Sequence, residues 1–286
     1  MGTQGSDCVG ADRRRQRAVS VVVPALNEAR NIGWVLDRLP ECVDEVIVVD
    51  GRSTDGTIEA ALRARPDATV VCETRPGKGA ALRAGFERSS GEFVVMLDAD
   101  GSMEPAEITR YLPLLRNGYD LVKGSRFITG GGSTDISRLR GIGNLALLHV
   151  ANRLHRCSFT ELCYGFMAFR RSMLPNLRLT ADGFEIEAQI VSHSLRAGLR
   201  VAEVASFEAV RRSGASNLRT FRDGSRVVRE LIMARMRRFP KPLAAPDGAP
   251  ARGPAAAWGR RFGEVRGPST AWGSRPSIGL TRQTAS

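Results

Sequence analysis

Asp98 and Asp100 stand one residue apart, directly behind the apolar run Phe93-Val94-Val95-Met96-Leu97. Two carboxylates that close repel each other unless a cation lies between them. Burying them inside a strand would cost stability, so they belong at its mouth. A hard divalent ion, Mg²⁺ or Mn²⁺, suits the pair: it takes one or two carboxylates and completes its shell with substrate phosphate oxygens. The pattern predicts Asp98 and Asp100 as metal ligands in a clamp for a diphosphate. The bland alternative is that both only cap the turn that follows. Two other apolar runs end on polar groups in the same way. Pro24-Ala25-Leu26-Asn27-Glu28 follows Val19 to Val23, and Asp50 follows Glu45 to Val49.

A fourth stretch, "GKGAAL" around Lys78, invites a phosphate reading but fits neither familiar motif. It lacks the third glycine of GxGxxG, and it does not directly follow a strand. It is no P-loop either, since Gly79 stands where Ser or Thr is needed. Its amides, at a helix N-terminus, remain available to an anion. Lys78 and Lys123 both fall in glycine-flanked motifs in a chain with only three lysines. Each is either an ammonium placed for a ligand or a solvated loop charge.

These residues need elements to hold them. Val19–Val23, Glu45–Val49, "ATVVCE" and "EFVVMLDAD" read as short, continuous apolar strands. Between them lie helical patterns: about Glu28 to Leu39, "STDGTIEAALRAR" with Ser53 or Thr54 as N-cap, and "GKGAALRAGFERS". Such β-α alternation predicts an α/β fold, a doubly wound and mostly parallel sheet flanked by helices. In that architecture ligands bind at the carboxyl ends of the strands, where the candidate residues stand. Beyond Gly118 the alternation weakens. "YDLVKGSRF" reads as a strand, "ITGGGSTDISRLRG" as a loop, Ile142 to His155 as a helix and Phe166 to Phe169 as a strand. "GFEIEAQIVSHSLRAGL" reads as a helix and "RVAEVASFEA" as one strand. Gly224 to Phe239 reads as an amphipathic helix, with Val228, Leu231, Ile232 and Phe239 opposite Arg226, Arg229, Arg237 and Arg238.

The bulk numbers agree with one folded domain and two tails. The chain has 286 residues, 42% hydrophobic and 25% charged, which suffices for a sizeable core. Residues 1–17 are polar, then basic, with no apolar stretch of the kind a secretory signal carries; they read as a disordered N-terminus. Residues 240–286 hold 7 of the 14 prolines and no periodicity, and read as a disordered tail. The domain is expected over 18–239. The net charge of +12 and pI of 10.6 point to acidic partners, phosphates or an anionic membrane. Of the 42 basic residues 39 are arginine, a bias that also reflects GC-rich codons. The five cysteines have no CxxC spacing and the three histidines form no ligand pattern with them, so free thiols in a reducing cytoplasm are expected. No window is apolar enough to span a membrane. Aromatic residues make up only 6%, and acids crowd the strand mouths, which argues against nucleic acid as a partner.

Taken in order and spacing, "VSVVVPALNE", "VVDGRSTDGT", "GKGAALRAGF", "MLDADGSMEP" and "KGSRF" resemble family 2 inverting glycosyltransferases with the GT-A fold. The resemblance is to the polyprenyl-phosphate and dolichol-phosphate mannosyl- and glucosyltransferases, and covers about Val19 to Phe239. It implies transfer of a sugar from a GDP- or UDP-linked donor to a polyprenyl phosphate. It also implies roles for single residues. Pro24, Asn27 and Glu28 would contact the nucleotide, as would Lys78 and Ala99 beside it, and Asp50 would hold the base or ribose. Asp98 and Asp100 would bind metal and diphosphate, with Arg126 near the donor phosphates. Arg211, Gly214 and Ser216 match a phosphate-binding R-x-x-G-x-S segment, and "DGFEIE" from Asp182 resembles the acidic element facing sugar and acceptor. Three departures stand out: Gly51 replaces a second acid after Asp50, Asn217 replaces a lysine, and Ser102 replaces a third metal-coordinating side chain in some relatives.

The chemistry expected is displacement at the anomeric carbon with the nucleotide leaving. Asp100 with its metal, Arg126 and Arg211 would stabilise the charge developing on the diphosphate. A lipid phosphate acceptor is already ionised at neutral pH and needs no strong base. A hydroxyl acceptor, the alternative for a soluble enzyme acting on a metabolite or polysaccharide, requires one, and Glu185 or Glu187 is the candidate. From Arg211 to Lys241 there are ten basic and two acidic residues, which suits peripheral contact with an anionic membrane. The expected location is the cytoplasm, at the cytoplasmic face of the membrane.

Overall fold

The computed structural model describes residues 18–136, 138–215, 220–237 and 239. Ser216 and the two expected tails lie outside the described residues. One sheet of seven strands organises the chain: β1 (Val19–Ala25), β2 (Glu45–Asp50), β3 (Thr69–Cys72), β4 (Phe93–Met96), β5 (Leu121–Ser125), β7 (Met167–Arg170) and β8 (Val201–Ala205). Their spatial order is β3-β2-β1-β4-β7-β5-β8. All pair in parallel except β7, which runs antiparallel to both β4 and β5. The carboxyl ends of β1, β2, β4 and β5 therefore open on one edge. A two-stranded ribbon of β6 (Gly132–Ser133) and β9 (Phe207–Glu208) sits apart.

Strands buried on both faces must be apolar at every position, which is why the sequence shows runs rather than alternation. Val21, Val23, Val46, Val48 and Val95 point to one face. There they meet α1 (Ile32–Asp37), α2 (Thr57–Ala64) and α4 (Ile108–Arg116) through Leu36, Ala61 and Tyr111. Val22, Ile47, Val49, Val94 and Met96 point to the other. That face is covered by α3 (Lys78–Arg88), α5 (Arg138–His155), α6 (Ile186–Arg196) and α7 (Thr220–Met236). The mostly parallel, doubly wound α/β fold expected from the sequence is the one observed.

Several boundaries moved, each for a local reason. The first helix starts at Ile32 rather than Glu28, because Glu28 opens a turn: its carbonyl accepts the Asn31 and Ile32 amides at 2.9 Å. Neither Ser53 nor Thr54 caps α2. The N-cap position is Gly56, which has no side chain to offer; the Asp55 carboxylate before it accepts the Thr57 amide at 3.1 Å, while the Ser53 hydroxyl accepts the Asn27 amide at 2.9 Å. The single strand expected over Arg200–Ala209 breaks at Ser206, whose hydroxyl donates to Glu107 at 2.6 Å and also meets the Tyr164 hydroxyl. On α7 the buried stripe is Val227, Leu231 and Ala234; Ile232 is exposed, and Val228 sits at the stripe's edge. The helix begins four residues earlier than expected, and its buried face is the one that packs on α5 and α6.

Candidate active site

A cavity of about 790 Å³ opens at the strand mouths. Its polar floor carries Glu28 after β1, Asp98 and Asp100 after β4, Arg126 after β5, and Lys78, Glu187 and Arg211. Pro24 and Ala99 also line it. Side chains up to 183 positions apart in sequence meet here because parallel strands end on one edge while their helices start there.

Lys78 lies at the centre of the floor. Its ammonium touches Asp98 Oδ1 at 2.5 Å and Glu187 Oε1 at 2.7 Å. Burial disfavours the ammonium, but the two carboxylates outweigh it and hold its pKa above the ordinary lysine value. Burial pushes Asp98 and Glu187 upward against the pull of Lys78, and the charge of Asp98 adds to the shift of Glu187. Gly165 makes the triad possible: a Cβ there would stand 2.7 Å from Lys78 Nζ and 3.1 Å from both carboxylates. Glu187, not Glu185, is the acid that enters the cavity. Glu185 accepts the Gly183 amide at 3.3 Å and is not part of the lining. Two residues apart on a helix means different faces, as the side chains here demonstrate.

Arg211 clasps the opposite wall. It pairs with Glu28, reaches Asp100 Oδ2 at 3.3 Å and donates to the Ser213 carbonyl at 2.7 Å. Asn31 supports Glu28 from the other side at 2.6 Å. Burial raises the Glu28 pKa, with Asn31 and Arg211 pulling against it. Gly214 follows at a left-handed φ of 82°, letting the segment turn back beside the guanidinium. Arg126 is held by two acids, Glu161 at 2.8 Å and Glu208 at 2.7 Å, and lies over the Tyr164 ring. Those acids escaped the sequence reading. Their signal was a glutamate in the otherwise apolar "ELCYGF" and an acid in "SFEAV", each answering a nearly buried arginine.

Four expectations change role. Asn27 is exposed and outside the cavity lining; at φ 58° its side-chain oxygen accepts the Thr54 amide at 2.9 Å, tying the β1 and β2 loops together. Asp50 is buried behind the lining. One carboxylate oxygen accepts the Arg52 and Ser53 amides at 3.0 Å each, and the other is enclosed with no partner among the described residues. The α3 amides are not free for an anion. Those of Gly79 and Ala80 donate to the Asp182 carbonyl at 2.7 and 3.1 Å. Lys123 is fully buried, donating to the Glu161 carbonyl at 2.6 Å and pairing with Glu203, so it faces no ligand.

Asp98 and Asp100 supply hard oxygen donors on one cavity wall, and the charge of Asp100 adds to the upward push on Asp98. A divalent cation between them would relieve that repulsion. Ser102 is no third ligand: its hydroxyl and amide both donate to Asp100 Oδ1, at 2.7 and 3.0 Å. Asp100 Oδ2, loosely held by Arg211, is the oxygen best placed to bind. Among the described residues no group of three acidic, histidine or cysteine side chains is arranged for a metal. A cation here would draw its remaining ligands from diphosphate and water.

Residues 20–178 match the family model described as Glycosyl transferase family 2. The chain belongs to this family. A glycosyltransferase, AglJ, of Haloferax volcanii is 36% identical over 219 residues, 75% of this chain and 71% of that one. The polyprenol monophosphomannose synthase of Mycolicibacterium smegmatis is 31% identical over 233 residues, 75% of this glycosyltransferase and 86% of the relative. Among solved structures, glucosyl-3-phosphoglycerate synthase from Mycobacterium tuberculosis matches with a TM-score of 0.62 at 28% identity, over 85% of this chain and 87% of that one. That crystal holds Mn²⁺, UDP-glucose and phosphoglyceric acid. Among the described residues of this glycosyltransferase no helix is long and apolar enough to cross a membrane.

Proposed function

We propose that this glycosyltransferase moves a hexose, with inversion, from a GDP- or UDP-linked donor to a polyprenyl phosphate at the membrane's cytoplasmic face. The observation that carries the lipid acceptor is the shape of the cavity. Its charged floor continues into an apolar wing between α5 and α7, lined by Ile142, Ala146, Leu147, Val150, Val227 and Val228. A diphosphate suits the floor and an isoprenoid chain suits the wing.

Electrostatics favour the same acceptor. Glu28, Asp98, Asp100, Glu187 and Glu208 all line the cavity, and each is held by a lysine or arginine. Each of these carboxylates already has an oxygen engaged by a cation, and an ionised lipid phosphate requires no general base. Asp98 and Asp100 would hold Mg²⁺ or Mn²⁺, which supplies charge stabilisation for the leaving diphosphate. Arg211 and Arg126 add positive charge on either side, and Lys78 fixes Asp98.

A second reading, a small phosphorylated hydroxyl acceptor, is favoured by the likeness to glucosyl-3-phosphoglycerate synthase. One experiment separates them. Labelled GDP- and UDP-sugars are offered with a short polyprenyl phosphate or with phosphoglyceric acid, in Mg²⁺ or Mn²⁺ and then in EDTA. Lipid-phosphate sugar that needs the metal and disappears in Asp100→Ala supports the proposal. Product with phosphoglyceric acid alone supports the second reading, and no product with any donor refutes both.

A further inference from the structure

A second, smaller cavity of about 270 Å³ lies where α5, α6 and α7 end together. Leu154, His155, Arg156, Leu195, Arg196 and Arg235 line it. It shares no residue with the active-site cavity. Among the described residues no carboxylate forms an ion pair with Arg156, Arg196 or Arg235, whereas Arg126 and Arg211 of the active site are each held by two acids. His155 is half-buried; the Leu231 carbonyl lies near its ring, and no side chain among the described residues answers either ring nitrogen.

Basic residues near helix C-termini commonly answer the negative end of the macrodipole. That accounts for charge in the last turns, but not for three arginines with no ion pair gathered around an imidazole that no side chain answers. Three guanidiniums and an imidazole around one cavity offer many donors and no acidic competitor, which is the chemistry of phosphate recognition.

We propose that this cavity binds a phosphate group, at a site separate from catalysis. The α7 end beside it favours a phospholipid headgroup as the source, since Ile232, Met233 and Met236 expose apolar side chains on the same half of the helix. A free phosphate or phosphorylated metabolite offers the same chemistry. The site does not depend on the acceptor assigned above.

The local field agrees with this placement. The His155 pKa is lowered by burial first and then by the positive charges of Arg196, Arg235 and His193, with the Leu231 carbonyl opposing. A bound anion would offset those charges and raise it.

The test uses the full chain. Its three histidines give separate proton resonances, and His155 is assigned by its loss in His155→Gln. Inorganic phosphate is expected to shift the His155 signals and raise its titration midpoint, and Arg156→Gly and Arg235→Ala are expected to weaken that response. Arg156→Gly guards against misfolding, because Arg156 holds a left-handed φ of 54° that glycine adopts without strain. Metal-dependent donor hydrolysis should stay unchanged in both variants. A vesicle arm compares phosphatidylglycerol with phosphatidylcholine. Preference for the anionic vesicles, falling about fivefold for each arginine replaced, identifies the headgroup. Phosphate binding without that preference identifies a soluble phosphate. His155 signals that ignore phosphate, or a response that survives both arginine replacements, overturn the proposal.

Discussion

Gly79→Ala isolates the contact that docks the acidic turn onto α3. An ideal Cβ at Gly79 would stand 2.3 Å from the Ala181 carbonyl oxygen and 2.9 Å from two backbone carbons. Backbone cannot rotate away as a side-chain tip can, so the 181–183 turn must retreat by about 1 Å to reach ordinary contact. That retreat stretches the bonds from the Gly79 and Ala80 amides to the Asp182 carbonyl. Weakening two hydrogen bonds and overpacking the site costs about 3–5 kcal/mol, and better helix propensity returns about 1. The net loss expected is about 2–4 kcal/mol, read as a lower urea midpoint. Activity should suffer further, because the turn leads into α6 and sets where Glu187 meets Lys78. A displacement of about 1 Å at positioning groups can cost about a hundredfold in rate. The control is Gly141→Ala in α5, where a Cβ meets nothing within 4 Å. It should stabilise slightly, by about 1 kcal/mol. If Gly79→Ala unfolds at the wild-type midpoint with full activity, or if both variants are equally damaged, the close approach does not hold the site together.

Lys78→Met leaves Asp98 and Glu187 facing each other without their cation, which should cost about 3–5 kcal/mol in urea unfolding. Lys78→Met/Glu187→Gln should regain part of that, and no regain would mean the triad is not a coupled unit. Arg211→Ala should raise the donor KM roughly tenfold, and Arg211→Lys should rescue it poorly, because a point charge cannot span Glu28 and Asp100; an unchanged KM would remove Arg211 from the site. Glu230 tests acid stability: burial pushes its pKa up, but the hydrogen bond from His193 leads the influences that leave it below 4.5. A depressed carboxylate gives stability that is complete above its unfolded pKa and lost as pH falls through the folded one. Unfolding free energy should therefore fall below about pH 4.5 with a shallower slope in Glu230→Gln than in wild type, and identical slopes would refute the linkage.

The legible parts of this protein are those whose signal is local. A strand buried on both faces has to be a continuous apolar run, and it has to stop where a carboxylate is needed. Val19 to Val23, Glu45 to Asp50 and Phe93 to Asp100 therefore announce both the sheet and its working edge. The two aspartates, their strand-mouth position and the family likeness follow from residues within a few positions of one another. The partners of those residues follow from no such window. Lys78 and Glu187 are 109 positions apart, and Arg211 and Glu28 are 183. Which acid pairs with which base depends on β7 entering antiparallel between β4 and β5, and on the glycines that let the 181–183 turn lie against α3. The same holds for amide groups: a glycine-rich helix start looks free in sequence, and only packing reveals that the Asp182 carbonyl already occupies it. Periodicity likewise marked α7 as amphipathic, but its buried face was decided by contact with α5 and α6, since a helix's register against its neighbours is a property of the packed whole. Sequence determined where the chemistry stands along the chain; tertiary structure decided what each charge is paired with, because ion pairs in a buried site are set by distance in space.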